Sequence, residues 1–247
     1  MSERVYNYVF QPKNNANYIY SYKSVPSESY YLIPTTCPIL DQGQIGSCVS
    51  NATYATFYIM SKGEIQLSRL HHYFCARAYG KLSLTKDTGL NILAALKTVK
   101  SYGISSETYW PYVTIKFTKL APSSSFTKLY KLNNYAYANV IQDIAHIKEC
   151  LILNLPVIIG VKVYTSFESE TANKTGIIPI PDPNETFLGG HCIIIVGFND
   201  STGYFQFQNS WGSGWGDNGY GYLPYEYATD QTLTPDLFIV HFESHDK

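Results

Sequence analysis

Several signals that would assign this chain to a narrower class of protein are missing from its sequence. No CxxC pair occurs among its five cysteines, which argues against zinc-ribbon and thioredoxin-type motifs; the cysteines are Cys37, Cys48, Cys75, Cys150 and Cys192. Their odd number leaves at least one thiol outside any intrachain disulfide, and favours a reducing compartment or a working thiol. His71-His72 does not belong to an HExxH pattern. We therefore expect neither a metal nor another cofactor.

The chain also lacks an excess of either charge and any long apolar run. Its 18 Lys+Arg and 19 Asp+Glu give a net charge of −1, which provides no basic surface for nucleic acid or for a membrane. No basic segment followed by an apolar stretch begins the sequence, and the apolar runs 151–163 and 192–198 are too short to span a bilayer. We expect a monomer with an intracellular or virion-associated location and with no nucleic-acid or membrane partner.

The 247 residues and the 45% hydrophobic fraction favour one large globular domain or two packed lobes. Apolar periodicity predicts helices over 48–62, 68–78, 90–102 and 143–153, and strands over 157–163, 192–198, 204–208 and 220–223. We therefore expect an α+β fold with an N-terminal extension (1–35), a mainly helical lobe (36–125) and a mainly β lobe (126–247). A cleft between two lobes is a preferred place for a functional site.

Cys48 is the first candidate for chemistry. It follows a glycine-containing loop and begins a predicted helix, where unpaired N–H groups and the helix dipole favour the thiolate. A thiolate can attack a carbonyl carbon. The alternative is a buried, inert cysteine, which is the commonest role of a free thiol.

Three further residues could complete such a site. His191 stands at the head of a buried strand directly after two glycines, so its ring should be accessible and able to exchange a proton with a thiol. Asn209 ends an apolar strand face and could orient an imidazole, with Trp211 shielding that hydrogen bond from water. Gln42 and the N–H of Cys48 could stabilise an oxyanion. Taken singly, these residues could equally be a core histidine, a turn asparagine and an exposed loop glutamine.

Together these motifs resemble the papain-like (C1) family of cysteine peptidases, over about residues 33–240. The matching sequences are QGQIGSC from Gln42 to Cys48, GGH ending at His191, and NSWGSGWGDNGY beginning at Asn209. His191 and Asn209 follow Cys48 by about 140 and 160 positions, at or somewhat beyond the spacing of that family. The segments beginning at Cys37 and at Leu223 look like those of bacterial and viral members.

The resemblance implies a role for each matching residue. Cys48 would be the nucleophile, His191 its partner and general acid/base, Asn209 the residue that orients His191, and Gln42 part of the oxyanion hole. The implied substrate-binding residues are Thr88, Gly89, Leu90, Gly190 and Trp215, with Asn91, Gly189 and Cys192 as pocket neighbours. The implied fold has a helical left lobe and an antiparallel, β-barrel-like right lobe. A pocket of leucine and small residues should take an apolar substrate side chain at P2, the second residue before the cleaved bond.

Departures from the family pattern put disulfide stabilisation and the usual pocket rules in doubt. Ile45 replaces a cysteine that many members use in a disulfide, Val49 replaces a tryptophan, and Thr88 replaces a glycine. We expect the four cysteines other than Cys48 to be free thiols.

The N-terminal extension is too short and too weakly periodic to be the family's helical propeptide. It could pack on the body as a strap, or cross the cleft near Cys48 as an inhibitory tail.

The resemblance therefore predicts a cysteine endopeptidase that forms a thioester on Cys48 and has peptides or proteins as its substrates. Regulation of this activity by the N-terminal extension depends on whether the extension is the inhibitory tail or the strap, and both stay open. Two alternatives stay open. One is a catalytically silent binding or structural module with the same fold. The other is a peptide ligase or transpeptidase that uses the same residues.

Overall fold

Three helices lie in the first half of the chain, and the first of them begins at Cys48. In the computed structural model, which describes residues 4–11, 19–20, 27–132 and 134–242, they are α1 (Cys48–Met60), α2 (Arg69–Tyr79) and α3 (Ile92–Tyr102). The predicted starts of α2 and α3 are early by one and two residues, because Ser68 and Asn91 act as N-caps through their side chains. Gly103, with φ +71°, ends α3. Helix α1 is buried along nearly its whole length.

The later helices are shorter: α4 (Ile144–Ile152), α5 (Glu170–Thr175) and α6 (Tyr225–Thr229). The periodicity predicted α4, which Asp143 caps by accepting a hydrogen bond from His146 N–H. Helices α5 and α6 have only six and five residues, too few for a 3.6-residue period to stand out. No helix among the described residues is long and apolar enough to cross a membrane.

The strands form one large sheet and one small one. They are β1 (Ile19–Tyr20), β2 (Tyr30–Leu32), β3 (Ile104–Ser105), β4 (Leu129–Tyr130), β5 (Tyr135–Val140), β6 (Val157–Tyr164), β7 (Phe187–Asn199), β8 (Tyr204–Gln208), β9 (Tyr220–Pro224) and β10 (Asp236–Phe242). The large sheet has the order β1-β5-β10-β6-β7-β8-β9, and β2 pairs with the end of β7. Strands β3 and β4 form the small sheet.

The large sheet is open, so the expected barrel-like closure of the second lobe is wrong. Strand β1 pairs with β5 at one end, and β9 pairs with β8 at the other. Residues 176–178 cover the outer edge of β9: Tyr222 N–H donates to Gly176 C=O, and Ile178 N–H donates to Tyr222 C=O. This loop meets the hydrogen-bonding needs of the edge without closing the sheet. The α+β class itself is confirmed.

Helix α1 packs against β7 at the centre of the molecule, and its first residue, Cys48, lies beside Cys192 of that strand. Strands β6 and β7 are almost wholly buried, which accounts for their nearly continuous apolar sequences. All five cysteines lie within the described residues, and all five are buried free thiols, as expected. No group of three or more His, Cys, Asp or Glu in the described part of the chain is placed to hold a metal ion.

Candidate active site

Cys48 lies where helix α1 meets strand β7. It is the first residue of α1 and is fully buried. The backbone N–H groups of Cys192, the residue that follows His191, and of Val49 lie close enough to the thiol to favour its ionised form. Burial nevertheless raises the pKa of the Cys48 thiol to about 12, with a smaller contribution from the charge of Asp87. The effect of burial on the pKa of Cys48 is therefore larger than the opposite effect of the helix N-terminus. With the cleft covered, the thiol form is favoured over the predicted thiolate.

His191 lies within β7, and its ring is held by Asn209. The two side chains are 2.9 Å apart between Nε2 and Oδ1, so Nε2–H donates to the amide oxygen. The other ring nitrogen, Nδ1, is buried and has no hydrogen-bond partner among the described residues. Burial lowers the pKa of His191 to about 4, although the Asn209 bond acts in the opposite direction. The neutral ring thus has one oriented nitrogen and one unpartnered nitrogen.

The expectation of an accessible His191 ring is wrong, because two aromatic side chains cover it. Trp211 stacks on the ring with centroids 4.6 Å apart and planes 21° apart. Tyr6 packs edge-on against His191 at 6.3 Å. Trp215 lies edge-on to Trp211 at 5.1 Å and is itself buried. Trp211 therefore covers one face of the imidazole, and its shielding of the His191–Asn209 hydrogen bond from water stays a prediction.

Gln42 is buried next to Asn209 rather than exposed. Its backbone N–H donates to Ser210 C=O over 2.8 Å, and its Oε1 accepts from Ser210 Oγ over 2.7 Å. Its Nε2 donates to Ile45 C=O over 3.1 Å. Because a primary amide has two N–H donors, one remains for a developing oxyanion. The four residues predicted for catalysis thus converge at one end of α1, although they come from distant parts of the chain.

The chain's own N-terminus occupies the groove beside these residues. Residues 4–11, called here the cleft segment, lie along the residues predicted to bind substrate. Tyr8 N–H donates to Gly190 C=O over 3.0 Å, and Val9 N–H donates to Leu90 C=O over 2.9 Å. Gly89 has φ +67°, and a Cβ there would lie 1.5 Å from Asn7 O. Only glycine at position 89 allows a peptide backbone to approach so closely.

The first residues of the cleft segment close over the histidine. The Arg4 guanidinium lies 4.1 Å from the centre of the Trp211 ring and forms an ion pair with Glu168. Arg4 also donates to Asn173 Oδ1 over 2.7 Å. Tyr6 contacts both His191 and Trp211. Together, Arg4 and Tyr6 separate the imidazole from solvent.

Sequence reasoning missed three residues near the site. They are Asp87, Gly160 and Asp236. Asp87 accepts a hydrogen bond from Gly46 N–H. Gly160 and Asp236 contact the side chain of Tyr8, which fills a pocket beside Gly190. The pocket was expected to hold only leucine and small residues, so the Asp236 carboxylate corrects that expectation. One signal could have revealed it: Asp236 is an acidic residue at the head of the apolar run Leu237–Val240.

Thr88 is half-buried beside Gly89, and its hydroxyl lies 3.5 Å from the Gly89 carbonyl. Asn91 caps α3 by accepting a hydrogen bond from Ala94 N–H, and no described hydrogen bond joins it to the cleft segment. The cleft segment contacts Gly89, Leu90 and Gly190, and its Tyr6 backbone also lies against Gly189.

The buried thiol at a helix N-terminus, the imidazole on the strand packed against that helix, the amide bonded to the imidazole and the buried Gln42 amide together form the arrangement predicted for a cysteine peptidase. The α+β fold that carries this site is that of the papain-like enzymes. A family model described as papain family cysteine protease matches residues 34–233. The chain belongs to that family.

Known relatives and structures agree with this membership. An uncharacterized peptidase C1-like protein of Acanthamoeba polyphaga mimivirus is 34% identical over 221 residues, covering 84% of this chain and 71% of the relative. A viral cathepsin of Spodoptera litura multicapsid nucleopolyhedrovirus is 28% identical over 189 residues, covering 74% of this chain and 52% of the relative. The chain thus spans about half of that second protein.

Among solved structures, xylellain, a cysteine protease from Xylella fastidiosa, superposes with a TM-score of 0.88 at 27% identity, and the match covers 99% of both chains. A cysteine protease of Carica candamarcensis shares the fold with a TM-score of 0.64 at 20% identity. The predicted likeness to viral and bacterial members is confirmed.

Proposed function

We propose that this protein is a cysteine endopeptidase that hydrolyses peptide bonds through a thioester on Cys48. We propose further that the cleft segment keeps it inactive until that segment leaves. Membership of a family of peptide hydrolases supports the first part. The second part depends on one observation: the cleft segment forms backbone hydrogen bonds with the residues predicted to hold substrate.

In the proposed reaction, the Cys48 sulfur attacks the carbonyl carbon of the substrate while its proton resides on His191. The free N–H of the Gln42 amide and the backbone N–H of Cys48 stabilise the oxyanion. His191 then donates its proton to the leaving amine, and the thioester remains. Water, deprotonated by His191, hydrolyses the thioester and restores the thiol. Asn209 holds the ring so that Nδ1 is free for these proton transfers.

Two features of the covered site support inhibition by the cleft segment. Burial holds Cys48 as a thiol and His191 as a neutral ring, whereas attack requires a thiolate. The backbone carbonyls of Gly190 and Leu90 are already occupied, so a peptide cannot bond to them until the cleft segment leaves. Departure of the segment would admit water and substrate together.

The test compares full-length proteins that differ only in the cleft segment. Arg4→Ala combined with Tyr6→Ala removes the contacts with Trp211 and His191, and should increase the rate of hydrolysis of a fluorogenic peptide at least several-fold. Val9→Ala is the matched control, because the Val9 side chain is 42% exposed and only its backbone is bonded. Equal rates for wild type and the double variant, with both proteins folded, would refute inhibition by the cleft segment.

A further inference from the structure

Tyr8 is inserted from the cleft segment into a pocket of the large sheet. It is the only buried side chain among residues 4–11, with 5% exposure. Its hydroxyl donates to Oδ2 of Asp236 over 2.7 Å. Its backbone N–H is bonded to Gly190, the residue before His191, so the pocket opens beside the reacting groups.

The floor of this pocket is a row of residues paired across three strands. Asp236 on β10 is paired with Gly160 on β6, and Gly160 is paired with Cys192 on β7. Directly paired residues place their side chains on the same face of a sheet. A Cβ on Gly160 would lie 2.2 Å from the Tyr8 ring, so the glycine makes room for an aromatic side chain. The pocket is therefore deep enough for a ring and ends at a carboxylate.

The Asp236 carboxylate is buried, with 8% exposure, and burial raises its pKa. The described donors to it are the Tyr8 hydroxyl, the Gln11 backbone N–H and Gln11 Nε2, and all three belong to the cleft segment. Departure of the segment therefore removes all of them together. A buried acceptor that loses its donors favours any incoming group that replaces them.

We propose that Asp236 is a specificity-determining residue, which makes this pocket select substrate side chains of tyrosine's length that end in a hydrogen-bond donor. This inference builds on the proposed peptidase function and replaces the expectation of a purely apolar P2 residue. Tyr8 occupies the pocket as such a side chain would. Phenylalanine fills the same space but leaves the carboxylate without a partner, so it is the matched substrate for comparison.

The first experiment needs no catalysis. In the full-length protein, Cys48 is fully buried, so alkylation of Cys48 by iodoacetamide reports departure of the cleft segment. Tyr8→Phe should speed alkylation roughly tenfold or more, since it removes a hydrogen bond to a buried carboxylate. In an Asp236→Leu background the same change should have no effect. Tyr225→Phe is the matched control, because Tyr225 donates to Asp200 outside the cleft over 2.7 Å. An unchanged alkylation rate in Tyr8→Phe would overturn the proposal.

The second experiment measures selectivity with a pair of peptides that carry tyrosine or phenylalanine at P2. The cleft segment must leave before either peptide binds, so it reduces both values of kcat/KM by the same factor and does not change their ratio. The ratio should favour tyrosine by roughly tenfold or more in wild type, and fall to about one in Asp236→Leu. Asp236→Asn, which keeps one acceptor oxygen, should give an intermediate ratio.

The outcomes separate the two proposals. A ratio near one in wild type overturns selection by Asp236 while leaving the peptidase intact. Absence of cleavage of both peptides, even after Arg4→Ala and Tyr6→Ala, overturns the peptidase, whereas the alkylation experiment still decides whether Asp236 recognises the tyrosine hydroxyl.

Discussion

The backbone N–H of Gly46 donates a 2.7 Å hydrogen bond to Oδ2 of Asp87. Gly46 precedes Cys48 by two residues, and Asp87 precedes Gly89 by two. This bond therefore joins the loop before Cys48 to the residues at 88–90, which face the cleft segment. Asp87 also accepts a hydrogen bond from Tyr73. Ile45, beside Gly46, replaces a cysteine that many members of the family use in a disulfide. A noncovalent contact thus lies close to where the family often has a covalent one.

Asp87→Asn should both destabilise the protein and make Cys48 more acidic. Loss of charge-assisted hydrogen bonds to this half-buried group should cost about 1–3 kcal/mol of unfolding free energy. The Asp87 charge contributes to the raised pKa of Cys48, so its removal should lower that pKa. Urea unfolding and the pH dependence of alkylation measure the two effects.

Tyr73→Phe separates these two effects, because it removes the hydroxyl that donates to Asp87 and accepts from Gly89 N–H, and leaves the Asp87 charge in place. It should reduce stability without lowering the Cys48 pKa. A Cys48 titration that is identical in wild type and Asp87→Asn would contradict the electrostatic part of the prediction.

Exposure of the site should change the pH dependence of Cys48 reactivity. Burial raises the pKa of Cys48 to about 12 and lowers that of His191 to about 4, and both shifts disfavour the charged form. Arg4→Ala with Tyr6→Ala should therefore lower the Cys48 pKa and raise that of His191. Site-resolved mass spectrometry should show alkylation of Cys48 beginning at lower pH in the double variant. Superimposable profiles would mean that the cleft segment does not control ionisation.

The buried His72 should make the protein less stable in acid. Its Nε2 lies 3.1 Å from Ala95 C=O and its Nδ1 lies 3.0 Å from Ser50 Oγ, an arrangement that suits the neutral ring. Burial lowers its pKa from 6.5 to about 4, so the unfolded chain binds the proton more readily than the folded one. The neutral His72 ring makes its full contribution to the free energy of unfolding above about pH 6.5. This contribution is lost as the pH falls towards 4, which lowers the free energy of unfolding by an amount on the order of 3 kcal/mol.

His72→Gln retains a donor and an acceptor but does not titrate. Its unfolding free energy, measured by urea titration at several pH values, should therefore fall less steeply with acid than that of wild type. Equal slopes for the two proteins would exclude His72 as a source of the acid sensitivity.

The sequence predicted those parts of the molecule whose pattern is local. Helices α1, α2, α3 and α4 and strand β8 have clear periods and end signals, and their predicted bounds differ from the structure by no more than two residues. Strand β10 was missed although its sequence is a buried apolar run, and β5 was missed because tyrosine and alanine alternate in it without a clear polar face.

The contacts of the cleft segment could not be predicted in detail, because their partners are far away in the chain. Tyr8 and Asp236 are separated by 228 positions, and Arg4 and Glu168 by 164. An extended segment without a period gives no local signal for the pocket that it enters. The sequence left a strap and an inhibitory tail as alternatives. The structure places residues 4–11 across the site, and the inhibitory role is the proposal that follows from that position.

The assignment of Cys48 as the nucleophile of an endopeptidase is tested most directly by hydrolysis of an internally quenched peptide with both ends blocked, so that only an endopeptidase can cleave it. The assay uses the full-length protein, the Arg4→Ala/Tyr6→Ala variant, and that variant with Cys48→Ala added. Cleavage should be faster in the double variant than in wild type, and Cys48→Ala should abolish it. Cleavage that persists in folded Cys48→Ala protein would contradict the assignment of Cys48 as the nucleophile.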